Sequence, residues 1–288
     1  MSDLAPRLIG WFASNARDLP WRRPGFSAWG VLVSEVMLQQ TPATRVIPHL
    51  EAWLDRWPTP ETLAEASPAD VLKQWSNLGY PRRALWLREA AIEIRDRFGG
   101  EVPHDVEQLL QLSGIGDYTA RAVAVFAYHQ RHPVVDTNTR RVLARAVHGR
   151  SQPGAPSRRD LLDMDAQLPD DPEQAFGVNA ATMELGATVC LAGNPLCDRC
   201  PIHTECRWYL LGRPDTGDVR PRQARYKGSD REARGAILQT LRQHPEGGLA
   251  QPQVLADWPD RAQRRRAIAS LIADGLVVAD HDQVRLPD

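Results

Sequence analysis

The sequence predicts an all-α protein that ends in a small module of mixed helix and strand. Apolar residues recur at three-to-four spacing along most of the chain, and Pro, Gly and short polar breaks separate these periods. No convincing alternating strand precedes residue 270. At 288 residues the chain is long enough to bury two or three modest cores.

The helices follow from these periods in chain order. Thr59, Ser67 and Ser157 each precede residues typical of a first helical turn, which indicates that they cap helices. The predicted helices are 3–16, 28–40, 46–55, 68–79, 83–98, 106–111, 119–129 and one that carries residues 140–147.

The chain changes character after residue 212. Residues 218–229 read DVRPRQARYKGS, which is polar and basic without apolar periodicity, so 213–229 is predicted to be a linker. Beyond it, helical periods at 231–242, 251–257 and 260–274 precede two β-prone runs around a turn at 280–282. Three helices and a terminal hairpin favour a winged-helix-like module over 230–288.

Four arginines would lie on or near the third helix of that module, where winged helices contact DNA grooves. A packing appendage with a solvated basic face is the alternative. These arginines are Arg261, Arg264, Arg265 and Arg266.

Composition restricts the class of protein. No apolar run is long enough to span a membrane, and the N-terminal MSDLAPRL lacks the features of a signal peptide, so a cytoplasmic protein is expected. No oligomerisation motif is visible, which makes a monomer the default. The net charge of −1 does not indicate nucleic-acid binding, but the arginines are grouped, and each group read singly favours a solvated helix face. The groups are 82–83, 140–145, 158–159 and 220–234.

One carboxylate lies inside an apolar run. In the stretch VLVSEVMLQQT, a helix would place Val31, Leu32, Leu38 and Gln39 one turn from Glu35, and three of these four cannot hydrogen-bond a charge. Such surroundings should favour the protonated form of Glu35 near neutral pH.

The segment LSGIGDYTA separates two predicted helices. Gly114 and Gly116 would let the backbone turn tightly and expose consecutive N–H groups at a helix start, which can hold a phosphate, often with a bound cation. This is a helix–hairpin–helix arrangement. Downstream, VVDTNTRR places Asp136 where it could cap the next helix, and a further role would require that it lie beside Glu35.

All four cysteines fall within 17 residues, as Cys190, Cys197, Cys200 and Cys206. In an intracellular chain such a group indicates metal binding before disulfides. Four thiolates suit a [4Fe–4S] cluster or zinc, and the presence of a single CxxC pair modestly favours iron–sulfur.

Six segments of the sequence together resemble the adenine DNA glycosylases (MutY) of the helix–hairpin–helix, or endonuclease III, superfamily. They are VLVSEVMLQQT, LGYPRRA, LSGIGDYTARAV, VVDTNTRRVLAR, MELGATVC and the cysteine loop. The resemblance runs from about residue 8 to 208. It implies a six-helix domain at 21–128 and an iron–sulfur domain, built from 1–20 and 129–212, that binds a [4Fe–4S] cluster through the four cysteines.

The resemblance also implies the chemistry. Glu35 would protonate the departing base, and Asp136 would stabilise the cationic sugar, which is the division of labour between the two carboxylates of a glycosidase. Asn138 would support the sugar and Tyr118 the acid. Bifunctional relatives have a Schiff-base lysine where this chain has Tyr118, and a phenol cannot form that bond, so a monofunctional enzyme is expected.

The remaining family positions concern DNA. Double-stranded DNA with a mismatched or oxidised base pair is the implied partner, and the target nucleotide must leave the base stack before its bond is cut. Gln40 and Tyr80 match residues that fill the resulting gap. The hairpin, with Gly114 and Gly116, would bind the backbone with a monovalent cation. The adenine pocket would comprise Arg17, Leu19, Trp21 and Arg22.

Two departures weaken the transfer of substrate identity. Ala180 stands where the family offers Gln or Glu to the adenine edge, and the region after the linker is too short for the family's Nudix-like domain, which reads 8-oxoguanine. Broader tolerance of the opposing base is therefore expected, with guanine and cytosine as further partners of adenine. The alternatives are a thymine or uracil mismatch glycosylase and a non-enzymatic iron–sulfur DNA-binding regulator.

Overall fold

The computed structural model describes residues 4–216, 225–244 and 248–288, and most of them are helical. None of the helices in these ranges combines the length and the apolar character needed to cross a membrane. The helices are α1 (Leu4–Asn15), α2 (Ala28–Leu38), α3 (Ala43–Arg56), α4 (Pro60–Ala64), α5 (Pro68–Trp75), α6 (Arg82–Phe98), α7 (Val106–Leu109), α8 (Asp117–Tyr128), α9 (Thr137–Ala146), α10 (Arg158–Asp165), α11 (Pro172–Thr188), α12 (Arg207–Leu210), α13 (Asp230–Gln243) and α14 (Arg261–Ala273). The strands are β1 (Leu249–Ala250), β2 (Val278–Asp280) and β3 (Gln283–Arg285).

The chain forms two compact units. The first comprises Met1–Val31, His104–Leu110 and Ile115–Arg222, and the second comprises Leu32–Pro103, Gln111–Gly114 and Gln223–Asp288. Part of the predicted linker, residues 217–224, lies outside the described residues. The domain boundaries expected from the sequence remain a prediction.

Helix α11 organises the first unit. It packs against α1 and α9, and α10 and α12 pack on the other faces of α9. Asp171 caps α11 through a hydrogen bond from the backbone N of Gln174, and Pro172 occupies its first turn, where no amide donor is needed. The fully buried residues of this core include Met164, Ala175, Ala181 and Leu185.

Tryptophans fill much of the core of the second unit, where α4 and α5 pack against α6. Trp53 makes edge-to-face contacts with Trp57 and Trp75, at centroid distances of 4.7 and 5.6 Å. Thr59 and Ser67 cap α4 and α5 as predicted, each accepting a backbone N–H in the first helical turn. No side of helix α2 faces solvent between residues 31 and 37, because all seven of these residues are buried.

The described residues of the C-terminal module form two helices and a three-stranded antiparallel sheet. β3 pairs antiparallel with both β1 and β2, which gives the sheet order β1-β3-β2, and α13 packs against α14. The predicted hairpin and the first and third helices are present. The helix predicted at 251–257 is wrong, since these residues form turns after β1. β1 was not expected because two residues are too few to show an alternating pattern.

Candidate active site

Glu35 lies on α2 and is buried, with 4% of its surface exposed. The residues one turn before it, Val31 and Leu32, are buried, and Leu38 is partly buried. The apolar surroundings that the sequence predicts for Glu35 are therefore present in the helix. Burial of this kind disfavours the charged form of a carboxyl group.

Gln40 and Tyr80 lie in two loops of the second unit, residues 39–41 and 79–81, and both side chains are exposed. Both residues have a left-handed backbone, with φ of 57° for Gln40 and 46° for Tyr80. Non-glycine residues rarely adopt this conformation, and it costs of the order of 1 kcal/mol or more. The surrounding structure must hold both loops in place.

The guanidinium of Arg83 joins these two loops. Its Nη1 donates to the carbonyl oxygens of Val36 at 2.6 Å and Gln39 at 2.7 Å, and its Nη2 donates to that of Gly79 at 3.1 Å. The group also lies 5.5 Å from the centroid of the Tyr80 ring. Burial lowers the pKa of Arg83 to about 10, so it remains charged at neutral pH. The sequence motif did not indicate this role.

Arg83→Lys should lower the free energy of unfolding by about 2–4 kcal/mol, because one ammonium cannot reach carbonyls in both loops and buried acceptors lose their donors. Urea titration measures the change. Arg82→Lys is the matched control at the next position, where the side chain is 51% exposed, and it should change stability by less than about 0.5 kcal/mol. Equal effects of the two substitutions would show that Arg83 does not hold the loops.

The hairpin between α7 and α8 is attached to α6 through Ser113. Its backbone N and Oγ donate to the two carboxylate oxygens of Glu93 at 2.7 and 2.8 Å. Gly114 has a φ of 75°, and a Cβ there would lie 2.7 Å from Cβ of Trp86, so only glycine fits. Gly116 precedes α8, and a Cβ there would have no neighbour within 4 Å. The space in front of the first amides of α8 is therefore open on this side.

Asp136 caps α9, as its place in the sequence predicts. Its Oδ1 accepts a hydrogen bond from the backbone N of Thr139 at 2.7 Å, and its Oδ2 accepts one from Nδ2 of Asn138 at 2.8 Å. Asp136 and Asn138 are partly exposed. Tyr118, in the first turn of α8, packs against the small core formed by Ala122, Val125 and Val134.

Arg141 extends this hydrogen-bond chain. Its Nη2 donates to Oδ1 of Asn138 at 2.8 Å and to the carbonyl of Gly186 at 2.6 Å. Its Nε donates to the carbonyl of Cys190 at 2.6 Å. The orientation of Asn138, and through it of Asp136, therefore depends on α11 and on the start of the cysteine loop.

The segment before Asp136 is held by Asn179. Its Oδ1 accepts from the backbone N of Val134 at 2.9 Å, and its Nδ2 donates to the carbonyl of His132 at 3.0 Å. The next residue, Ala180, is buried and offers only a methyl group.

Arg17 and Arg22 share one buried partner, Glu184 of α11. Arg17 donates from Nε and Nη2 to the two oxygens of Glu184 at 2.7 and 2.9 Å, and Nη2 of Arg22 donates at 2.8 Å. Burial alone would raise the pKa of Glu184, but the hydrogen bonds from the two arginines outweigh it and hold that pKa below its usual range. Leu19 is buried and Trp21 is half-buried in the segment between the arginines.

Glu184→Gln should lower the free energy of unfolding at pH 7 by about 2–3 kcal/mol, because two arginines lose a buried carboxylate. The depressed pKa means that this stabilisation is complete above the usual carboxyl pKa of about 4.5 and is lost as the pH falls through the lower folded-state value. Unfolding at pH 7 and at pH 3 measures the difference, which should shrink at the lower pH. Glu173→Gln, whose side chain is 70% exposed, is the control and should show little change at either pH. A pH-independent difference would contradict the role of the charge.

The four cysteines line one cavity, together with Arg145, His203 and Trp208. Within the described residues, no three His, Cys, Asp or Glu side chains are placed to hold a single metal ion. Burial raises the pKa of the Cys200 thiol to about 12, and the neighbouring cysteines add to this. Four thiolates would therefore need a cation among them.

Buried arginines donate hydrogen bonds to the cysteine loop. Nη1 of Arg145 donates to Sγ of Cys190 at 3.3 Å and to the carbonyl of Leu191 at 2.7 Å. Arg140, Arg141 and Arg145 are only 5%, 8% and 3% exposed, so the solvated face expected for this group is wrong. Most of their partners are carbonyls and a carboxylate elsewhere in the chain, which a local sequence pattern does not show.

The structure places the predicted site residues in both units. The first unit contains Asp136, Asn138, Tyr118, Gly116, the 17–22 segment and the four cysteines, and the second contains Glu35, Gln40, Tyr80 and Gly114. Sequence reasoning did not identify four residues that hold these groups. They are Arg83, Arg141, Asn179 and Glu184.

Comparisons with known proteins identify the family to which the chain belongs. Residues 33–162 match the HhH-GPD superfamily of base excision DNA repair proteins. The adenine DNA glycosylase of Mycolicibacterium smegmatis is 52% identical over 278 residues, which are 96% of this chain and 93% of that protein. The thymine-DNA glycosylase of Aeropyrum pernix is 34% identical over 72% of this chain and 94% of its own length.

A solved thermostable thymine-DNA glycosylase superposes with a TM-score of 0.66 over 73% of this chain and 96% of that one, at 24% identity, which supports the helix–hairpin–helix glycosylase fold. With 52% identity across nearly its whole length to one member, the chain belongs to the adenine DNA glycosylases of the HhH-GPD superfamily, the family that its motifs resemble.

Proposed function

We propose that this protein is a monofunctional DNA glycosylase that hydrolyses the N-glycosidic bond of adenine mispaired with 8-oxoguanine or guanine, and also with cytosine, in base excision repair. The observation that carries the proposal is the burial of Glu35 on a helix without a polar face. Burial disfavours the charged form of a carboxyl group, and the neutral form can donate its proton to the departing base.

Asp136 is the proposed stabiliser of the positive charge that develops on the sugar. It accepts hydrogen bonds from the Thr139 amide and from Asn138, which set its orientation. A fixed carboxylate stabilises an oxocarbenium-like transition state without having to reorganise. Asn138 contributes by holding Oδ2 of Asp136 in place.

Tyr118 supports the monofunctional assignment. A phenol cannot form the Schiff base that precedes strand cleavage in lyase-type relatives. Tyr118 supports the catalytic acid in this proposal. The product is then an abasic site in an intact strand, which breaks only on later treatment with alkali.

The loops at 39–41 and 79–81, hereafter the wedge loops, are proposed to open the duplex. The side chains of Gln40 and Tyr80 are exposed and end in planar groups. The hydrogen bonds from Arg83 to both loops offset the cost of their strained backbone. A planar side chain that enters the base stack offsets part of the unstacking cost of a few kcal/mol.

The extruded adenine is proposed to bind near Arg17, Leu19, Trp21 and Arg22. Glu184 fixes both guanidinium groups, which leaves their remaining N–H donors preorganised for the base. Ala180 contributes shape but no hydrogen bond, so discrimination by the adenine edge should be weaker than in relatives with Gln or Glu there.

The hairpin is proposed to bind the DNA backbone. The amides at the start of α8 are accessible at Gly116, and Gly114 lets the turn pack closely against Trp86. Carbonyl oxygens of the same turn would hold a monovalent cation. Duplex DNA with a mismatched or oxidised base pair is the partner, and the protein acts as a monomer.

A [4Fe–4S] cluster is the proposed cofactor, bound by Cys190, Cys197, Cys200 and Cys206. The four cysteines line a single cavity, and an all-thiolate donor set suits such a cluster. The cluster would supply structural order, and the cysteine loop it stabilises carries the exposed Arg199 and Arg207. Analysis of the purified protein should find iron and acid-labile sulfide, and zinc alone would contradict the assignment.

Thymine or uracil excision is the second candidate. The 34% identity to a thymine-DNA glycosylase and the apolar Ala180 favour it. The buried Glu35 favours adenine, because departure of a purine gains most from protonation by a strong acid.

Single-turnover excision on a panel of duplexes tests the proposal. The target strand carries adenine opposite 8-oxoguanine, guanine or cytosine, or thymine or uracil opposite guanine, and each reaction is quenched with and without alkali. Adenine release that yields breaks only after alkali is expected, with modest differences between opposing bases. Release of thymine or uracil alone would replace the assignment, and breaks without alkali would show a lyase.

A further inference from the structure

We propose that α14 is a second DNA-binding surface, which contacts the phosphate backbone of duplex DNA through Arg261, Arg265 and Arg266. The surface lies outside the site that removes the base. Binding to undamaged duplex tests it, so it can fail or succeed independently of the glycosylase assignment.

Helix α14 is strongly cationic in its first two turns. Its sequence, RAQRRRAIASLIA, contains four arginines and no acidic residue. Ala267, Ile268 and Leu271 are buried and form its inner face. Arg261, Arg265 and Arg266 are exposed, and the small side chains of the outer face leave room for close approach.

The arginines of α14 differ in what they already bind. Nη1 of Arg264 donates to the carbonyls of Pro252 and Leu255 at 3.2 and 3.1 Å, so Arg264 holds the turn after β1. Arg266 is 3.6 Å from Asp230 but keeps 60% of its side chain exposed. Arg261 and Arg265 form no ion pair with any residue in the described part of the chain. Two arginines, and largely a third, are therefore available to phosphates.

The hairpin of the module has the opposite character. Its tip carries Asp280, His281 and Asp282, all exposed, and two of these are anions. Phosphate contact at this tip would be repulsive. Charge complementarity therefore favours α14, rather than the hairpin, as the surface that binds DNA.

The module contacts α5 and α6, the two helices that flank the 79–81 loop. Asp274, the C-cap of α14, accepts from Nη2 of Arg234, and its Oδ1 lies 3.4 Å from Nη1 of Arg82, two residues after Tyr80. Nε of Arg242 on α13 donates to the carbonyl of Leu72 at 3.0 Å. These contacts lie within the second unit and bring the C-terminal end of α14 close to the 79–81 loop. The module therefore lies next to a loop that is proposed to contact DNA.

The salt dependence of binding to an undamaged duplex tests this surface in the full-length protein. The variant R261Q/R265Q/R266Q is compared with R56Q/R159Q/R285Q, which removes the same charge from arginines already paired with Asp70, Asp163 and Asp288. Each lost phosphate contact should reduce the slope of log K against log salt by about 0.9. Over a fourfold rise in salt, the wild-type affinity should then fall about 40-fold more than that of the α14 variant.

A third variant separates charge from folding. R261K/R265K/R266K keeps the charges and should keep most of the wild-type slope, whereas loss of the slope in this variant would indicate damage to the module. An α14 Gln variant with the same slope as its matched control would overturn the proposal and favour an acidic protein surface or solvent as the partner of these arginines.

Discussion

Glu35→Gln is expected to slow adenine release strongly from a duplex with adenine opposite 8-oxoguanine, while duplex binding is retained. A glutamine has nearly the same shape, so α2 should pack as before, but an amide cannot transfer a proton to the departing base. General acid catalysis contributes about 10²- to 10⁴-fold, and the single-turnover rate should fall by that factor. Quenched-flow or manual single-turnover assays measure it directly.

The control for this substitution is Glu89→Gln, which removes an exposed carboxylate from α6 in the same unit. Its excision rate should remain within about twofold of wild type, since surface substitutions rarely matter. Affinity for an uncleavable duplex should be similar in all three proteins. A Glu35→Gln enzyme that retains the wild-type rate would remove Glu35 from the mechanism, and one that no longer binds DNA would indicate a structural role instead.

Gly186→Ala is expected to slow excision strongly and to lower the free energy of unfolding by about 1–3 kcal/mol. A Cβ at residue 186 would lie 2.7 Å from Cβ of Asn138 and 2.8 Å from its carbonyl oxygen. Because most of that contact is with backbone at the start of α9, no rotamer change can relieve it. Asn138 must shift, and Asp136, which it holds at 2.8 Å, must shift with it.

Two other glycines provide matched controls. Gly177→Ala, on the same helix, would meet only the flexible side chain of Ile9 at 3.0 Å and should cost less. Gly10→Ala on α1 has no neighbour within 4 Å and should stabilise the protein by about 0.5–1 kcal/mol. Thermal unfolding and single-turnover excision measure all three. If Gly186→Ala behaves like Gly10→Ala, close packing of α11 on α9 does not position Asn138 and Asp136.

Local chemistry made much of this fold predictable. Thr59, Ser67 and Asp136 each accept a backbone N–H three residues on, and such caps can be recognised from the side chain and the apolar period that follows. The burial of α2 follows in the same way from its uninterrupted apolar run. The 251–257 segment was misassigned because a short period does not distinguish a helix from a series of turns.

The sequence by itself determined the helical class, the helix starts, the buried acid Glu35, the cap Asp136 and the four-cysteine loop, because each is a property of neighbouring residues. Only the tertiary structure decided what holds them. Arg83 and Glu184 read as surface charges until the fold brings carbonyls or guanidinium groups from distant segments against them. A buried charge is stable only where such partners converge, and that convergence is a property of the folded chain rather than of any stretch of it.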